Sequence, residues 1–268
     1  MLRERIQTAL ALGVVLVVVL FALPAWATVC VVTLAILAGA WEWSAFIATG
    51  RGVKRLRSGY VALMALLLAA LSLPQPPLLA QGAVLALAIG WWVCALGWIL
   101  LAPQAASAAA GAVAGILTLA PAWYALVHLR LDFAAGAQWI LFLLVLVTAT
   151  DSGAYFAGRR FGRVKLAPRV SPGKTWEGVL GGLAGGCLAA WAGAAWFGLP
   201  ALAFLSVAVA VIAFSIVGDL TESLLKRRAG LKDSGTLFPG HGGMLDRIDS
   251  LTAAAPVLLA GLGAMGVA

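Results

Sequence analysis

Long apolar runs separated by short polar loops fill almost the whole chain. The runs lack the alternation of apolar and polar residues that marks half-buried strands, and most are close to the ~20 residues that a helix needs to cross a bilayer. Because a spanning segment must satisfy its own backbone hydrogen bonds, we predict helices. The predicted spans are residues 6–23, 25–47, 59–73, 78–101, 105–128, 137–157, 176–198, 200–218 and 245–267. The fold class is therefore all-α, a polytopic membrane protein with nine predicted transmembrane helices.

The first apolar run follows a basic head and ends in Ala25, Trp26 and Ala27, a pattern that resembles a cleavable signal peptide. The run is longer than the ~7–15 apolar residues that are usual for such a signal. We therefore interpret it as the first span, closed by Pro24.

The polar loops differ in charge from one side of the predicted bundle to the other. If the N-terminus is cytoplasmic, all strongly basic segments fall on the cytoplasmic side, as the positive-inside rule requires. These segments are Arg3 with Arg5, and residues 51–57, 159–174 and 226–232. Topology thus accounts for the net charge of +8 without a nucleic-acid partner. The predicted location is a bacterial inner membrane, with the N-terminus in the cytoplasm.

Composition supports a membrane protein with one domain. The chain is 63% hydrophobic and 10% charged, whereas soluble domains carry roughly 25% charged residues. Its three cysteines lie in apolar segments without pair spacing, so we expect neither a disulfide framework nor a thiolate metal site. No linker or repeat divides residues 1–268, which we treat as a single integral membrane domain.

Span seven has glycines at four-residue spacing, Gly178, Gly182 and Gly186. Small residues at this spacing let two helices approach closely. The face predicts either an internal helix contact or a dimer seam, so a homodimer is one of two open alternatives.

Glu42 lies near the cytoplasmic end of span two, between Trp41 and Trp43. The tryptophans are typical of an aromatic belt at the membrane surface. An acid near membrane depth usually has a partner, which the sequence does not identify.

Seven of the ten acids fall between residues 151 and 249. A charged side chain at the centre of a span costs about 2.5–3.5 kcal/mol on insertion scales, so such groups usually serve a site. We therefore place the catalytic half at about residues 151–250. If span eight continues as a helix beyond the membrane, one face presents Asp219, Glu222, Ser223 and Lys226.

The segment before span nine contains His241 within a glycine-rich turn, followed by Asp246 and Asp249. Carboxylates at a helix start complement the helix dipole. Two of them, with Asp219 arriving at the same membrane face, also form an oxygen-ligand set suited to Mg²⁺. His241 is either a turn residue or a direct participant in the chemistry.

The sequence SPGKT, residues 171–175, precedes span seven. A nucleotide-binding P-loop would need glycine at position 168, which is Pro168. We reject that interpretation and expect Ser171, Lys174 and Thr175 to form an anion site at a helix N-terminus.

Residues 223–249, SLLKRRAGLKDSGTLFPGHGGMLDRID, resemble the signature of the phosphatidate cytidylyltransferase (CDP-diacylglycerol synthase) family. Ser, Lys-Arg, Lys-Asp, His-Gly-Gly and Asp-Arg-x-Asp follow one another at that family's spacing. Residues 151–178 are similar to a second region of the family. One departure is Gly173, where the family commonly has a second lysine.

The resemblance implies that CTP and phosphatidic acid react at a cytoplasm-facing site to give CDP-diacylglycerol and pyrophosphate. The implied catalytic residues are Asp219, Lys226, Asp246 and Asp249, of which the three aspartates would hold Mg²⁺. The implied substrate-binding residues are Ser171, Lys174, Thr175, Ser223, Arg227, Lys232 and His241. The alternatives are a CTP-dependent lipid kinase, which releases CDP, and an ion-coupled transporter, which would carry its charges near the middle of the membrane.

Overall fold

A computed structural model describes residues 13–47, 53–73, 81–101, 107–237 and 242–267. The described chain is helical apart from one short hairpin. In order, the elements are α1 (13–21), α2 (Ala25–Ile47), α3 (Val53–Leu71), α4 (Gln81–Leu101), α5 (Ala108–Leu131), α6 (Gly136–Phe161), β1 (Lys165–Ala167), β2 (Ser171–Thr175), α7 (Trp176–Phe197), α8 (Ala201–Arg228) and α9 (Leu245–Ala264).

Six of the described helices are long and apolar enough to cross a membrane: α2, α4, α5, α6, α7 and α8. The prediction of an all-α, multi-pass membrane protein is therefore confirmed. Helices α3 and α9 were also predicted to span, but basic residues occupy the first turns of α3, and acids with an arginine occupy those of α9. The count of nine spans and the cytoplasmic N-terminus stay predictions.

Helices α6 and α7 pack through small residues. A side chain at Gly181 would strike the backbone of Gly153, and a Cβ at Gly182 would lie 2.9 Å from the carbonyl oxygen of Thr150. Gly186 is buried against Thr150 and Ile212. The glycine face of span seven therefore makes an internal contact, one of the two alternatives that the sequence left open. A homodimer stays a prediction, which the glycine face of span seven does not support.

Helix α9 runs through the inside of the bundle. Ala253, Ala254 and Ala255 are fully buried in it, and the largest apolar cluster joins α9 to α5, α6 and α8. Fully buried members of that cluster include Leu143 and Leu258. Because α9 packs along α8, its polar first turns are brought to the polar end of α8.

The strands β1 and β2 form an antiparallel hairpin between α6 and α7. Ser171 and Lys174, expected at a helix N-terminus, lie in β2, because the Pro-Gly pair between them is unfavourable to helix. Thr175 alone fits the expectation: it is the N-cap of α7, and its Oγ1 accepts a hydrogen bond from the backbone N–H of Gly178 at 3.1 Å.

Candidate active site

Charged ends of several elements meet at one end of the helix bundle. The contacts that join them are ion pairs from Lys174 to Asp219 and from Lys226 to Asp246, and hydrogen bonds from the start of α9 to Glu42. The hairpin, the end of α8, the start of α9 and the end of α2 therefore surround one site. Two of the basic segments that the sequence placed on one side of the membrane, 159–174 and 226–232, both contribute to it.

The end of α8 presents a polar face, as predicted. The helix continues to Arg228, and Ser223 Oγ donates a hydrogen bond to Asp219 Oδ1 at 3.3 Å. One turn further on, Lys226 Nζ lies 3.1 Å from Glu222 Oε2. These four residues therefore lie along one side of the helix, at the three- and four-residue offsets that make side chains neighbours.

Lys226 is the cation between two carboxylates from different helices. Its Nζ lies 2.7 Å from Asp246 Oδ1 on α9, in addition to its contact with Glu222 on α8. The Glu222 side chain is 2% exposed and that of Lys226 13% exposed, so water screens these charges poorly. Lys226 thus joins the end of α8 to the start of α9.

Asp246 accepts hydrogen bonds through both carboxylate oxygens. Besides the Lys226 contact at Oδ1, its Oδ2 accepts from the backbone N–H of Ser234 at 2.9 Å, the Ser234 hydroxyl at 2.8 Å and the backbone N–H of Gly243 at 2.8 Å. The sequence-based prediction made Asp246 a Mg²⁺ ligand. In this structure four donor groups lie within hydrogen-bonding distance of its oxygens, so Asp246 connects Lys226 to Ser234 and Gly243. Its role as a Mg²⁺ ligand stays a prediction.

Glu222 and Asp249 form a pair of adjacent carboxylates. Asp249 of α9 interacts electrostatically with Glu222 and with Asp219, both on α8. Glu222 Oε1 is buried and has no hydrogen-bond partner among the described residues. Adjacent carboxylates repel each other unless they share a proton or a cation. The predicted trio of Asp219, Asp246 and Asp249 therefore has Glu222 as a further acidic neighbour, and its binding of Mg²⁺ stays a prediction.

The acids do not form a complete metal cage by themselves. Within the described ranges, no three His, Cys, Asp or Glu side chains converge closely enough to hold a metal ion. Mg²⁺ usually binds through one or two carboxylates together with substrate phosphates and water. An incomplete carboxylate set is therefore compatible with a site that is completed by a phosphorylated substrate.

A cavity of about 410 Å³ opens beside Asp219. Lys174 from β2 lies in its wall, with Nζ 2.6 Å from Asp219 Oδ2. Arg159 and Tyr155 of α6 also line it, and Arg159 Nη1 donates to the Tyr155 hydroxyl at 2.9 Å. Asp151 completes the polar wall. The hairpin thus places Lys174 next to Asp219 of α8, and α6 adds Arg159 to the same cavity.

A second cavity, of about 870 Å³, lies between α2 and residues 231–237. Arg57 and Lys232 are its basic residues. The guanidinium of Arg57 lies 4.3 Å from the ring centroid of Trp41 and donates to the Trp41 carbonyl oxygen at 3.0 Å. Trp41, interpreted as part of an aromatic belt, therefore also orders a cation at the rim of this cavity.

Glu42 has the partners that its position in an apolar helix led us to expect. Its Oε2 accepts a hydrogen bond from the backbone N–H of Leu245 at 2.8 Å and lies 3.0 Å from the Ser234 hydroxyl, whose single proton is shared between Glu42 and Asp246. Its Oε1 accepts from the backbone N–H of Met244 at 3.0 Å. The sequence indicated that a partner was needed but not where, since the partners lie about 200 residues away.

The remaining predicted residues are less closely connected to this cluster. Arg227 and Lys232 are exposed, and Ser171 is half-buried in β2. His241 lies outside the described residues. Two residues of the cluster, Glu222 and Ser234, were not among the predicted site residues. Glu222 could have been included because it shares the predicted face of α8; Ser234 carried no comparable signal.

Comparison with known proteins agrees with the motif. The profile of the cytidylyltransferase family matches residues 3–264. A phosphatidate cytidylyltransferase of Pseudomonas aeruginosa is 44% identical over 99% of this chain and 98% of its own length. One of Haemophilus influenzae is 43% identical over 63% of this chain and 64% of its own length. The chloroplastic phosphatidate cytidylyltransferase 4 of Arabidopsis thaliana is 49% identical over 39% of this chain and 27% of its own length.

Proposed function

The chain belongs to the cytidylyltransferase family, and we propose from this that it transfers CMP from CTP to phosphatidic acid, giving CDP-diacylglycerol and pyrophosphate. The observation that carries the proposal is its similarity, over nearly the full length of both chains, to a curated phosphatidate cytidylyltransferase. The geometry supports it, because a cluster of acids and cations lies at one end of a membrane bundle, beside two open cavities. A water-soluble nucleotide and a membrane-held phosphate can both reach such a position.

The reaction exchanges one phosphorus–oxygen bond for another. An oxygen of the lipid phosphate attacks the α-phosphorus of CTP, a new P–O bond forms, and the bond to the β-phosphate oxygen breaks as pyrophosphate leaves. The attacking oxygen is already anionic, so a general base is not required. Catalysis then rests on positioning the two anions and offsetting their charge.

The cations around the cluster are the groups that we assign to the substrate phosphates. Lys174 and Arg159 line the cavity beside Asp219, and both can bind a phosphate oxygen there. Arg227 and Lys232 are exposed and follow Lys226 closely in the sequence. We propose that they bind the β- and γ-phosphates of CTP. Lys226 is held between two acids and provides positive charge to the centre of the site. Ser223 is a hydrogen-bond donor on the same face.

We propose that Mg²⁺ binds at the cluster of Asp219, Asp246 and Asp249, through one or two of these carboxylates together with substrate phosphates and water. The proposal is supported by the acidic neighbours of Asp249 and by the buried Glu222 oxygen beside them, which has no hydrogen-bond partner among the described residues. When bound, the ion would offset charge on the triphosphate and on the departing pyrophosphate. The protein residues keep their own roles: Lys226 restrains Glu222 and Asp246, and Lys174 holds Asp219.

Asp249→Asn is expected to raise the Mg²⁺ concentration needed for half-maximal activity by about tenfold or more, since the variant loses a charged ligand. Titrating activity with Mg²⁺, and measuring Mn²⁺ binding by electron paramagnetic resonance with CTP but without phosphatidic acid, would test this. The matched control is Asp132→Asn. This change removes the carboxylate that contacts His128 at the C-terminal end of α5, outside the site. Unchanged Mg²⁺ and Mn²⁺ titrations in Asp249→Asn would contradict the assignment.

We further propose that the site faces the cytoplasm from a bacterial inner membrane. This orientation is supported by the basic residues on the segments around the site, because Lys and Arg accumulate in cytoplasmic loops. It also places the site on the side where CTP is available.

The decisive experiment gives the purified full-length protein phosphatidic acid, Mg²⁺ and CTP labelled at the α-phosphate. A labelled CMP-bearing lipid with release of pyrophosphate is the expected result. A lipid diphosphate with release of labelled CDP would instead establish a CTP-dependent kinase. Ion movement into liposomes without any turnover of CTP would favour a transporter.

A further inference from the structure

Glu42 of α2 is a buried carboxylate that contacts the reaction site. It belongs to neither of the two sequence segments, 151–178 and 223–249, that identified the site. It is 6% exposed, it accepts hydrogen bonds from the backbone N–H groups of Met244 and Leu245, and it lies 3.0 Å from the Ser234 hydroxyl. The two N–H groups are at the start of α9 and have no partner within the helix itself. The carboxylate therefore caps α9 from a different helix.

The loop backbone approaches this carboxylate from two sides. A Cβ at Gly235 would overlap Glu42 Oε1, and a Cβ at Gly243 would overlap both Glu42 Oε2 and the Ser234 hydroxyl. Residues 234–235 and 243–245 thus converge on one side chain from α2, at a distance that glycine alone permits. These contacts fix the position of the two segments relative to α2, in addition to their local conformation.

Ser234 couples Glu42 to Asp246. Its hydroxyl lies 3.0 Å from Glu42 Oε2 and 2.8 Å from Asp246 Oδ2, and it also accepts the backbone N–H of Asp246 at 3.3 Å. Asp246 in turn holds Lys226. A displacement of Glu42 would therefore pass through Ser234 and Asp246 to the ammonium group at the centre of the site.

The attachment of α2 to the bundle has a separate anchor. The indole N–H of Trp43, next to Glu42 in the chain, donates to the carbonyl oxygen of Gly111 on α5 at 2.8 Å, and Trp43 is 1% exposed. The helix can thus stay in place when Glu42 changes. This separates the role of Glu42 from the general packing of α2.

We propose that Glu42 is a positioning residue for nucleotidyl transfer, which keeps residues 234–235 and 243–245 where Asp246 holds Lys226 in register with the substrates. The inference rests on the proposed function and adds a residue from the first half of the chain to the site. Glu42 contacts no reacting atom in this scheme. Its effect is expected in the rate of the chemical step, since small displacements of charged groups slow that step most.

The test compares Glu42→Gln with Trp43→Phe. Glutamine has the same shape but only one acceptor oxygen, so its amide group must face one of the two backbone N–H groups. We expect kcat to fall by about 10²-fold while KM for CTP changes by less than about threefold, the mark of an interaction made in the transition state. Trp43→Phe loses one buried hydrogen bond of the same helix, and its kcat should stay within about twofold of wild type even if its melting temperature falls.

A wild-type kcat in Glu42→Gln would overturn the proposal, and so would equal losses of kcat in both variants. Hydrogen exchange at Met244 and Leu245 tests the positioning independently of turnover. These amides should exchange faster in Glu42→Gln and remain unchanged in Trp43→Phe; unchanged exchange in both variants would also refute it. If wild-type protein does not convert CTP and phosphatidic acid, the proposed function fails, and the exchange result still decides the role of Glu42 in holding the loop.

Discussion

The Asp246→Asn variant is expected to lose at least about 10³-fold in kcat while it remains folded and inserted in the membrane. Asparagine keeps the size of the side chain but replaces one acceptor oxygen by an amide donor. That donor must face either Lys226 or the group of N–H and O–H donors from Ser234 and Gly243. If the amide group faces Lys226, the lysine loses its charged partner on α9. If it faces Ser234 and Gly243, those residues lose the carboxylate that anchors them.

The measurement is single-turnover formation of CDP-diacylglycerol, with thermal unfolding and gel filtration of the same preparations in detergent. Asp132→Asn serves again as the control, because it removes a carboxylate that contacts the His128 ring outside the site. Turnover within tenfold of wild type in Asp246→Asn would contradict the central position that the structure gives to this carboxylate. A protein that no longer elutes as a single folded species would show instead that Asp246 is needed for folding.

The membrane helices were the most predictable part of the fold. Residues 25–47 were predicted as a span and form α2 with the same bounds, and residues 176–198 correspond to α7 within one residue. The agreement follows from physics that acts locally: an apolar run of sufficient length must be helical in a bilayer. The same local reasoning placed Asp219, Glu222, Ser223 and Lys226 on one face of α8.

The contacts of the site could not be obtained in that way. Lys174 pairs with Asp219 because a hairpin turns the chain back toward α8, and the hairpin itself was missed. Asp246 was predicted at the site, but spacing along a helix does not say which donors reach it from the residues before α9. Glu42 is the extreme case, with partners from the opposite end of the chain.

Helix α9 shows a related limit of sequence interpretation. Its apolar composition fits either a helix facing lipid or one buried within protein, since both surroundings exclude water. In the structure α9 lies inside the bundle, and its acids are consequently shielded by α8 and by the loop before it. This placement explains how a helix with two aspartates in its first turns is accommodated: neighbouring protein groups, not lipid, surround those turns.

Lys226→Met is expected to damage both stability and activity. Lys226 lies between Glu222, which is 2% exposed, and Asp246, so its removal leaves two poorly hydrated carboxylates without their shared cation. Breaking a buried ion pair by removing one partner typically lowers the free energy of unfolding by about 3–5 kcal/mol. Turnover should also fall below detection, because the central positive charge of the site is lost. Thermal unfolding in detergent and formation of CDP-diacylglycerol would measure the two effects.

A second variant separates the two consequences. In Lys226→Met with Glu222→Gln, the most buried of the unpaired charges is removed as well, so we expect much of the lost thermal stability to return. Activity should not return, since neither methionine nor glutamine can offset phosphate charge or bind a cation strongly. If the double variant regained both stability and turnover, Lys226 would be a structural counter-ion only. If it regained neither, the instability of Lys226→Met would have to arise from lost packing of the lysine stem between α8 and α9 and not from unpaired charge.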